Sequence, residues 1–153
     1  MAAVKKKKLL VLHGPNLNML GLREPEVYGK DTLADVDATL AELASELGVS
    51  VECRQSNHEG ELIDWIGSAE DDGFAGILLN PGALTHTSYA VYDALKGSSL
   101  PAIEVHISNP DAREAFRKTS LVAPACVGRV AGFGVGSYFL ALEGLLDRLS
   151  PAQ

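Results

Sequence analysis

The chain has 153 residues, of which 46% are hydrophobic and 22% charged, a composition typical of one globular domain. Its net charge of −7 argues against nucleic acid as the main partner, because phosphate binding needs a broad basic surface. No apolar run reaches the roughly 20 residues of a membrane span, and the run at residues 9–12 is too short for a signal-peptide core.

The chain begins with a basic lead-in that contains four consecutive lysines, residues 5–8. We interpret them as solvated residues before a strand, and a targeting or nucleic-acid patch is the alternative. The two cysteines, Cys53 and Cys126, have no nearby CxxC partner and indicate buried thiols in a reducing compartment rather than a disulfide or a metal pair. We therefore expect a single catalytic domain over residues 1–153, with residues 1–8 loosely attached, in the cytoplasm.

Strands and helices alternate along the chain. Residues 9–12 form an apolar run that predicts a buried strand. Thr32 then opens a helix, since Asp35 three residues later completes a capping box, and Gly48 ends it. In chain order, the pattern then predicts a strand at 49–54, a helix from 62 to about 73, a strand at 76–79, a helix at 87–95, a strand at 102–105, a helix from 110, a weaker strand at 127–131 and a helix at 135–149. This alternation predicts a parallel sheet with helices on both faces.

Polar residues follow four of the predicted strands, and they include every histidine of the chain. These are His13, His58, His86 and His106, after the first, second, third and fourth strands. Turn chemistry explains the Gly, Asn and Pro residues at these places but not the histidines. Ligands of open parallel sheets bind at the carboxyl edge of the strands, so we predict a ligand site there. The histidines lack the local ligand pairs of zinc sites, so we predict no metal.

Residues 108–111 indicate an anion site at the same edge. Asn109 suits a helix N-cap and Pro110 suits the first helical position, so the backbone amides there are predicted to face the ligand. Arg113 and Arg117 are four residues apart and are predicted to project from one face of that helix. Two solvated arginines are the alternative interpretation.

Five ordered motifs together resemble those of type II dehydroquinases. They are Leu-His-Gly-Pro-Asn-Leu-Asn at 12–18, Arg-Glu-Pro at 23–25 with Tyr-Gly at 28–29, Gln-Ser-Asn-His-Glu-Gly at 55–60, Asn-Pro-Gly-Ala at 80–83, and Glu-Val-His-Ile-Ser-Asn at 104–109 with the two arginines. The resemblance covers about residues 9–149. It implies a flavodoxin-like α/β fold, with a five-stranded parallel sheet in the order 2-1-3-4-5, and no cofactor.

The resemblance also implies the reaction, an anti elimination of water from 3-dehydroquinate through an enolate to give 3-dehydroshikimate. This hydro-lyase step belongs to the shikimate pathway, and quinate breakdown uses the same reaction. By resemblance Tyr28 is the base. A free tyrosine has a pKa near 10 and acts as a base only where a cation stabilises the phenolate. Arg23 and Arg113 are the two candidates. Residues 20–29 are expected to close as a lid.

The resemblance assigns the enolate and the leaving group to other side chains. Asn16 is expected to donate to the enolate oxygen. His106 is expected to protonate the departing hydroxyl, a role that suits an imidazole with an unperturbed pKa of about 6.5. Glu104 lies two residues earlier, on the same side of an extended strand, and is expected to orient His106.

Substrate binding is assigned, again by resemblance, to six residues. The substrate carboxylate is expected at the backbone amides of Ile107 and Ser108 with Asn80 nearby, and the ring hydroxyls at His86 and Arg117. Asp93 is expected to reach the site of a neighbouring subunit in a dodecamer of four trimers. No membrane or nucleic-acid partner is expected.

A flavodoxin-like binding or regulatory module without catalysis is the alternative class of function. A flavin module needs a Ser/Thr-rich phosphate loop after the first strand, where residues 14–17 are Gly-Pro-Asn-Leu. A receiver module needs aspartates at the ends of the first and third strands, which here carry His13 and Asn80. The local residues therefore favour the enzyme.

Overall fold

The computed structural model describes residues 5–151 and contains a five-stranded parallel sheet. The strands are β1 (Lys8–His13), β2 (Ser50–Gln55), β3 (Gly76–Asn80), β4 (Ala102–His106) and β5 (Gly128–Ala131), in the order β2-β1-β3-β4-β5. The helices are α1 (Pro25–Tyr28), α2 (Leu33–Glu46), α3 (Glu59–Ser68), α4 (Tyr89–Gly97) and α5 (Gly136–Leu149). The α/β fold and strand order that the resemblance implied are confirmed.

The alternating side chains of the central strands bury both faces of the sheet. In β1, Leu9 and Val11 pack into the core that also contains residues of α2 and α5. Leu10 and Leu12 point to the other face and pack with residues of α3 and α4. All four are fully buried, as expected where helices cover a parallel sheet on both sides. Within residues 5–151, none of the helices has the length and hydrophobicity of a membrane span.

The start of α2 confirms the predicted capping box. The Thr32 hydroxyl accepts a hydrogen bond from the Asp35 backbone N–H at 3.2 Å, and the Asp35 carboxylate accepts one from the Thr32 N–H at 2.9 Å. Hydrogen bonding of the Asp35 carboxylate to the Thr32 backbone N–H, and then to the Thr32 side chain, lowers the pKa of Asp35. The two bonds of the capping box satisfy amides that have no partner within the helix, so this boundary is readable from the sequence.

The predicted helix from Pro110 is wrong. The segment forms two short 3-10 turns, Pro110–Ala112 and Ala115–Lys118, with Arg113 in extended conformation between them. No residue from 111 to 118 is buried, so a longer helix would have no apolar face to pack against the core. Arg113 and Arg117 therefore do not share a helical face.

The basic lead-in differs from the prediction at its end. Lys8 already belongs to β1, and its ammonium group lies 4.2 Å from the centre of the Phe74 ring. The Lys7 ammonium group donates to the backbone carbonyl of Leu149 at 3.2 Å. Residues 1–4 of the lead-in lie outside the described residues.

Gly14 joins the ends of β1 and β3. Its backbone N–H donates to the Asn80 carbonyl at 2.7 Å. A Cβ atom at this position would lie 2.8 Å from backbone atoms of Pro81 and 3.0 Å from the Asn80 carbonyl oxygen. Only glycine allows the two strand ends to approach this closely, and the loops that follow both ends contribute to the candidate site.

We expect Gly14→Ala to lower the free energy of unfolding by about 1–3 kcal/mol, because backbone atoms must move to make room. Gly67→Ala is the matched control. Gly67 lies inside α3 with no atom within 4 Å of an added Cβ, so this substitution should raise stability by about 0.5–1 kcal/mol. Urea unfolding of both variants measures the difference, and equal effects would contradict the close approach.

Candidate active site

A cavity with about 730 Å³ of empty space, part of it open to solvent, lies at the carboxyl edge of the sheet. Ten of the twelve predicted site residues line it: Asn16, Arg23, Tyr28, Asn80, His86, His106, Ile107, Ser108, Arg113 and Arg117. Glu104 lies behind His106, and Asp93 is exposed on α4, outside the cavity of its own chain.

The cavity is cationic although the chain as a whole is acidic. Arg23, Arg113 and Arg117 line it, and the described residues that form its wall include neither Asp nor Glu. Arg117 forms an ion pair with Glu114, which lies outside the wall, and this hydrogen bond lowers the pKa of Glu114. A cavity with this distribution of charge attracts a small anion despite the net charge of −7.

Tyr28 is the last residue of α1, and its hydroxyl contacts Arg113. The Arg113 guanidinium donates to the Tyr28 hydroxyl oxygen at 2.9 Å and to the Ser108 hydroxyl at 3.2 Å. The Arg23 guanidinium lies 6.0 Å from the centre of the Tyr28 ring and pairs with Glu24 at 3.3 Å. Of the two arginines that the sequence left open, Arg113 makes the direct contact with the phenol oxygen.

His106 and Glu104 lie on one side of β4, as their spacing predicted. His106 Nε2 is hydrogen bonded to the Glu104 carboxylate, which can only accept, so this nitrogen carries a proton. The other donors to Glu104 are the hydroxyl of Thr85 at 2.8 Å, the hydroxyl of Ser120 at 2.7 Å and the Arg129 guanidinium at 3.0 Å.

The environment of Glu104 keeps it charged. Its side chain is fully buried, and burial alone would raise its pKa. The hydrogen bond and charge of His106, together with the hydrogen bonds from Ser120 and Thr85, outweigh burial and lower the pKa to about 2. A negative charge therefore stands behind the His106 ring at neutral pH.

Two other lining residues have their polar atoms fixed by neighbours. The His86 Nδ1 atom contacts the Thr119 carbonyl at 2.8 Å and must be its donor, which leaves Nε2 as an acceptor in the neutral ring. Asn16 has a left-handed backbone, with φ of 71°, and its N–H donates to the Asn57 side chain at 2.9 Å. Asn57 belongs to the motif at residues 55–60, which therefore supports the cavity wall from behind.

Two of the four histidines that follow predicted strands line the cavity, and they are the two assigned to the site by resemblance. His86 and His106 line the cavity, whereas His58 is exposed and is not part of its wall. His13 is fully buried, with Nδ1 at 2.8 Å from the Tyr138 hydroxyl and Nε2 at 2.8 Å from the Asp37 carboxylate. Its side chain points into the core beside α2 and α5, because the strand residue before a turn can face either layer.

Sequence reasoning missed the residues that hold the site from behind. Thr85, Ser120 and Arg129 surround Glu104, and Tyr138 and Asp37 contact His13. The only signal was for Arg129, which is the register partner of Glu104 once β5 is paired with β4. The others come from loops and helices whose approach no spacing in the sequence encodes.

One group of side chains has the chemistry of metal ligands. Ligand atoms of His13, Asp37 and Cys53 lie within 4.8 Å of one another. Both nitrogens of His13 already have protein partners, and burial followed by the charge of Asp37 raises the pKa of the Cys53 thiol. The Cys126 pKa is likewise raised, to about 12, mainly by burial. These contacts favour a hydrogen-bonded arrangement over metal binding.

The chain is similar to known proteins over most of its length. Residues 7–146 match the family model described as "Dehydroquinase class II". A 3-dehydroquinate dehydratase of Deinococcus radiodurans is 55% identical over 141 residues, covering 92% of this chain and 99% of that protein. One of Variovorax paradoxus is 56% identical over 144 residues, covering 92% and 99%. The crystal structure of the type II dehydroquinase from Butyrivibrio crossotus superposes with a TM-score of 0.90 at 45% identity, covering 92% and 98%.

We expect the charge of Glu104 to make stability depend on acid pH. Its folded pKa of about 2 lies below the ordinary value of 4.5. Its contribution is therefore complete above about pH 4.5 and is lost as the pH falls towards 2. Across this window, the free energy of unfolding of the wild type should fall by on the order of 3 kcal/mol more than that of Glu104→Gln.

Urea unfolding at fixed protein concentration between about pH 5 and pH 2 measures the effect, at pH steps of about 0.5. Glu114→Gln is the control, because that carboxylate is exposed and solvent screens its charge. Parallel pH dependence of the wild type and Glu104→Gln would contradict a charged Glu104.

Proposed function

The chain belongs to the class II dehydroquinase family, and we propose how its residues carry out the reaction of a 3-dehydroquinate dehydratase. This hydro-lyase reaction removes water from 3-dehydroquinate and gives 3-dehydroshikimate. The observation that carries the mechanism is the Arg113–Tyr28 hydrogen bond, made in the same cationic cavity as the His106–Glu104 pair. One cavity thus contains a candidate base and a candidate acid.

The substrate is a carboxylate, and the cationic wall of the cavity suits it. We place the carboxylate at the backbone amides of Ile107 and Ser108, close to the Ser108 hydroxyl that already contacts Arg113. Asn80 completes this end of the cavity. At the other end, the free Nε2 of His86 accepts from a ring hydroxyl, and Arg117 donates to one.

Tyr28 removes the proton from the carbon next to the ketone. It acts as a phenolate, and Arg113 stabilises that anion because its guanidinium is already hydrogen bonded to the oxygen. As the C–H bond breaks, negative charge develops on the carbonyl oxygen. Asn16 donates to this oxygen, directly or through a water molecule, and so stabilises the enolate.

His106 completes the elimination. With Nε2 committed to Glu104, its second nitrogen, Nδ1, carries the proton that passes to the departing hydroxyl. The C–O bond breaks, the enolate electrons form the new double bond and water leaves. The buried Glu104 carboxylate stabilises the doubly protonated ring before transfer and holds its orientation afterwards. Tyr28 then returns its proton to solvent and His106 takes one up.

Residues 20–29 carry both Arg23 and Tyr28, and we propose that they close over the bound substrate. Gly21 and Gly29 flank most of the segment with left-handed backbones, φ of 86° and 84°. Such positions permit a rotation of the segment that moves the base in and out as a unit. Closure also excludes water from the enolate.

We propose a dodecamer of four trimers in which Asp93 of one chain reaches the site of its neighbour. Its exposure on α4, away from its own cavity, supports this role. The thiols of Cys53 and Cys126 are both free, which supports a reducing, cytoplasmic location. In this proposal, residues 1–153 form one catalytic domain.

Adding 3-dehydroquinate to the purified chain tests the function. The conjugated enone of the product absorbs in the ultraviolet, and its appearance with steady-state kinetics supports the proposal. No absorbance change at any pH would contradict it.

We expect Tyr28→Phe to fold normally and to lower kcat by about 1,000-fold or more, because it removes the base. Tyr89→Phe removes a hydroxyl from an exposed tyrosine outside the cavity wall and should retain activity. The enone assay and circular dichroism measure both properties. A Tyr28→Phe variant with near-normal kcat would exclude Tyr28 as the base.

We expect Arg113→Gln to lower kcat/KM by roughly 10- to 100-fold, through loss of a charge-assisted hydrogen bond to the phenolate. Arg23→Gln should lower it less, since that guanidinium lies over the ring and pairs with Glu24. A larger loss in the Arg23 variant would reverse the assignment of the two arginines.

A further inference from the structure

We propose that Asp37, His13 and Tyr138 are positioning residues, which form a buried hydrogen-bond chain that fixes Asn80 with one N–H group directed at the substrate. The proposal rests on the proposed function, in which Asn80 binds the substrate. It assigns a purpose to His13, which ends β1 but does not enter the cavity.

The amide group of Asn80 has one orientation compatible with its neighbours. Its Oδ1 accepts from the Gly82 backbone N–H at 3.1 Å, a contact that only oxygen can make. Its Nδ2 donates to the Tyr138 hydroxyl at 2.9 Å. Nδ2 has two hydrogens, and Asn80 lines the cavity, so in the proposed arrangement the second N–H points to an acceptor there. Asn80 is therefore set as a donor.

The neighbours of Tyr138 fix the direction of donation in the rest of the hydrogen-bond chain. Its hydroxyl oxygen accepts from Asn80, and its own proton therefore goes to the other neighbour, His13 Nδ1, at 2.8 Å. Burial raises the pKa of Tyr138 above its ordinary range, so it remains a phenol with a proton to donate. With Nδ1 as acceptor, the ring proton of neutral His13 lies on Nε2 and is donated to the Asp37 carboxylate at 2.8 Å.

The chain of donors thus runs from the cavity to the surface in one direction. Asn80 and His13 are register partners at the ends of β3 and β1, and Tyr138 lies in the first turn of α5. Asp37 lies on α2 with its side chain 35% exposed. His13, Tyr138 and Asp37 do not belong to the cavity wall, so any effect they have on the substrate passes through Asn80.

The two ends of this hydrogen-bond chain differ in charge, and this difference sets the direction in which its groups donate. The Asp37 carboxylate accepts but cannot donate, so it holds the His13 proton on Nε2 and leaves Nδ1 free for Tyr138. Without that anchor the ring can exchange tautomers, Tyr138 can reverse its hydroxyl and Asn80 loses its acceptor. A loosened Asn80 weakens the binding of the substrate and of the transition state by the same amount, so KM rises while kcat is unchanged.

The test compares variants of the full chain by steady-state kinetics with 3-dehydroquinate. We expect Tyr138→Phe to raise KM roughly tenfold, equivalent to about 1.4 kcal/mol, with kcat within about twofold of the wild type. Asp37→Ala should raise KM about threefold, again with little change in kcat, although this side chain is remote from the substrate. If Tyr138→Phe does not fold, Asp37→Ala still tests the proposal, because the partly exposed site of Asp37 tolerates substitution.

Asp35→Ala is the matched control on the same helix. It removes the capping box of α2 and should lower the melting temperature without changing KM. An unchanged KM in Asp37→Ala would overturn the proposal, as would an Asp35→Ala variant whose KM rises equally. A wild-type chain that gives no enone would instead reject the proposed function, and the positioning role with it.

Discussion

The side chain of Glu104 is fully buried and charged, and a buried carboxylate persists only where donors replace the water that it has lost. Its donors come from four parts of the chain: the turn after β3, the end of β4, the loop at Ser120 and the strand β5. Satisfying this single charge therefore fixes the position of His106 and draws together the loops that surround the cavity. The site depends on an electrostatic requirement as much as on the shape of the sheet.

The proposed acid and the proposed base are held in different ways. The acid is held from within the core, by a carboxylate that solvent does not reach. The base comes from outside, on a four-residue helix whose last residue, Tyr28, meets Arg113. In the proposed mechanism, an acid fixed in the core and a base on a closing segment suit a reaction in which the substrate must enter and then be shielded from water.

Much of the fold was predictable because local chemistry determined it. The capping box at Thr32 and the apolar runs of the strands act over a few residues, and they placed α2 and all five strands to within about two residues. The helix from Pro110 failed because capping signals were present while an apolar face was absent. Most of the cavity wall also followed from the motifs, whose residues stand at strand ends. The residues that hold the site from behind could not be predicted, since contacts such as Glu104–Arg129 and His13–Tyr138 join segments that are distant in sequence.

The close approach of β1 and β3 at Gly14 makes this glycine a requirement of the fold and not of the chemistry. Backbone atoms occupy the space in which any side chain would begin, so every other residue there would force the strand ends apart, whatever the site does. A variant without Tyr28, the proposed base, would still need that glycine to keep β1 beside β3. Retention of Gly14 therefore identifies the scaffold, whereas the chemistry must be identified from the side chains that the scaffold presents.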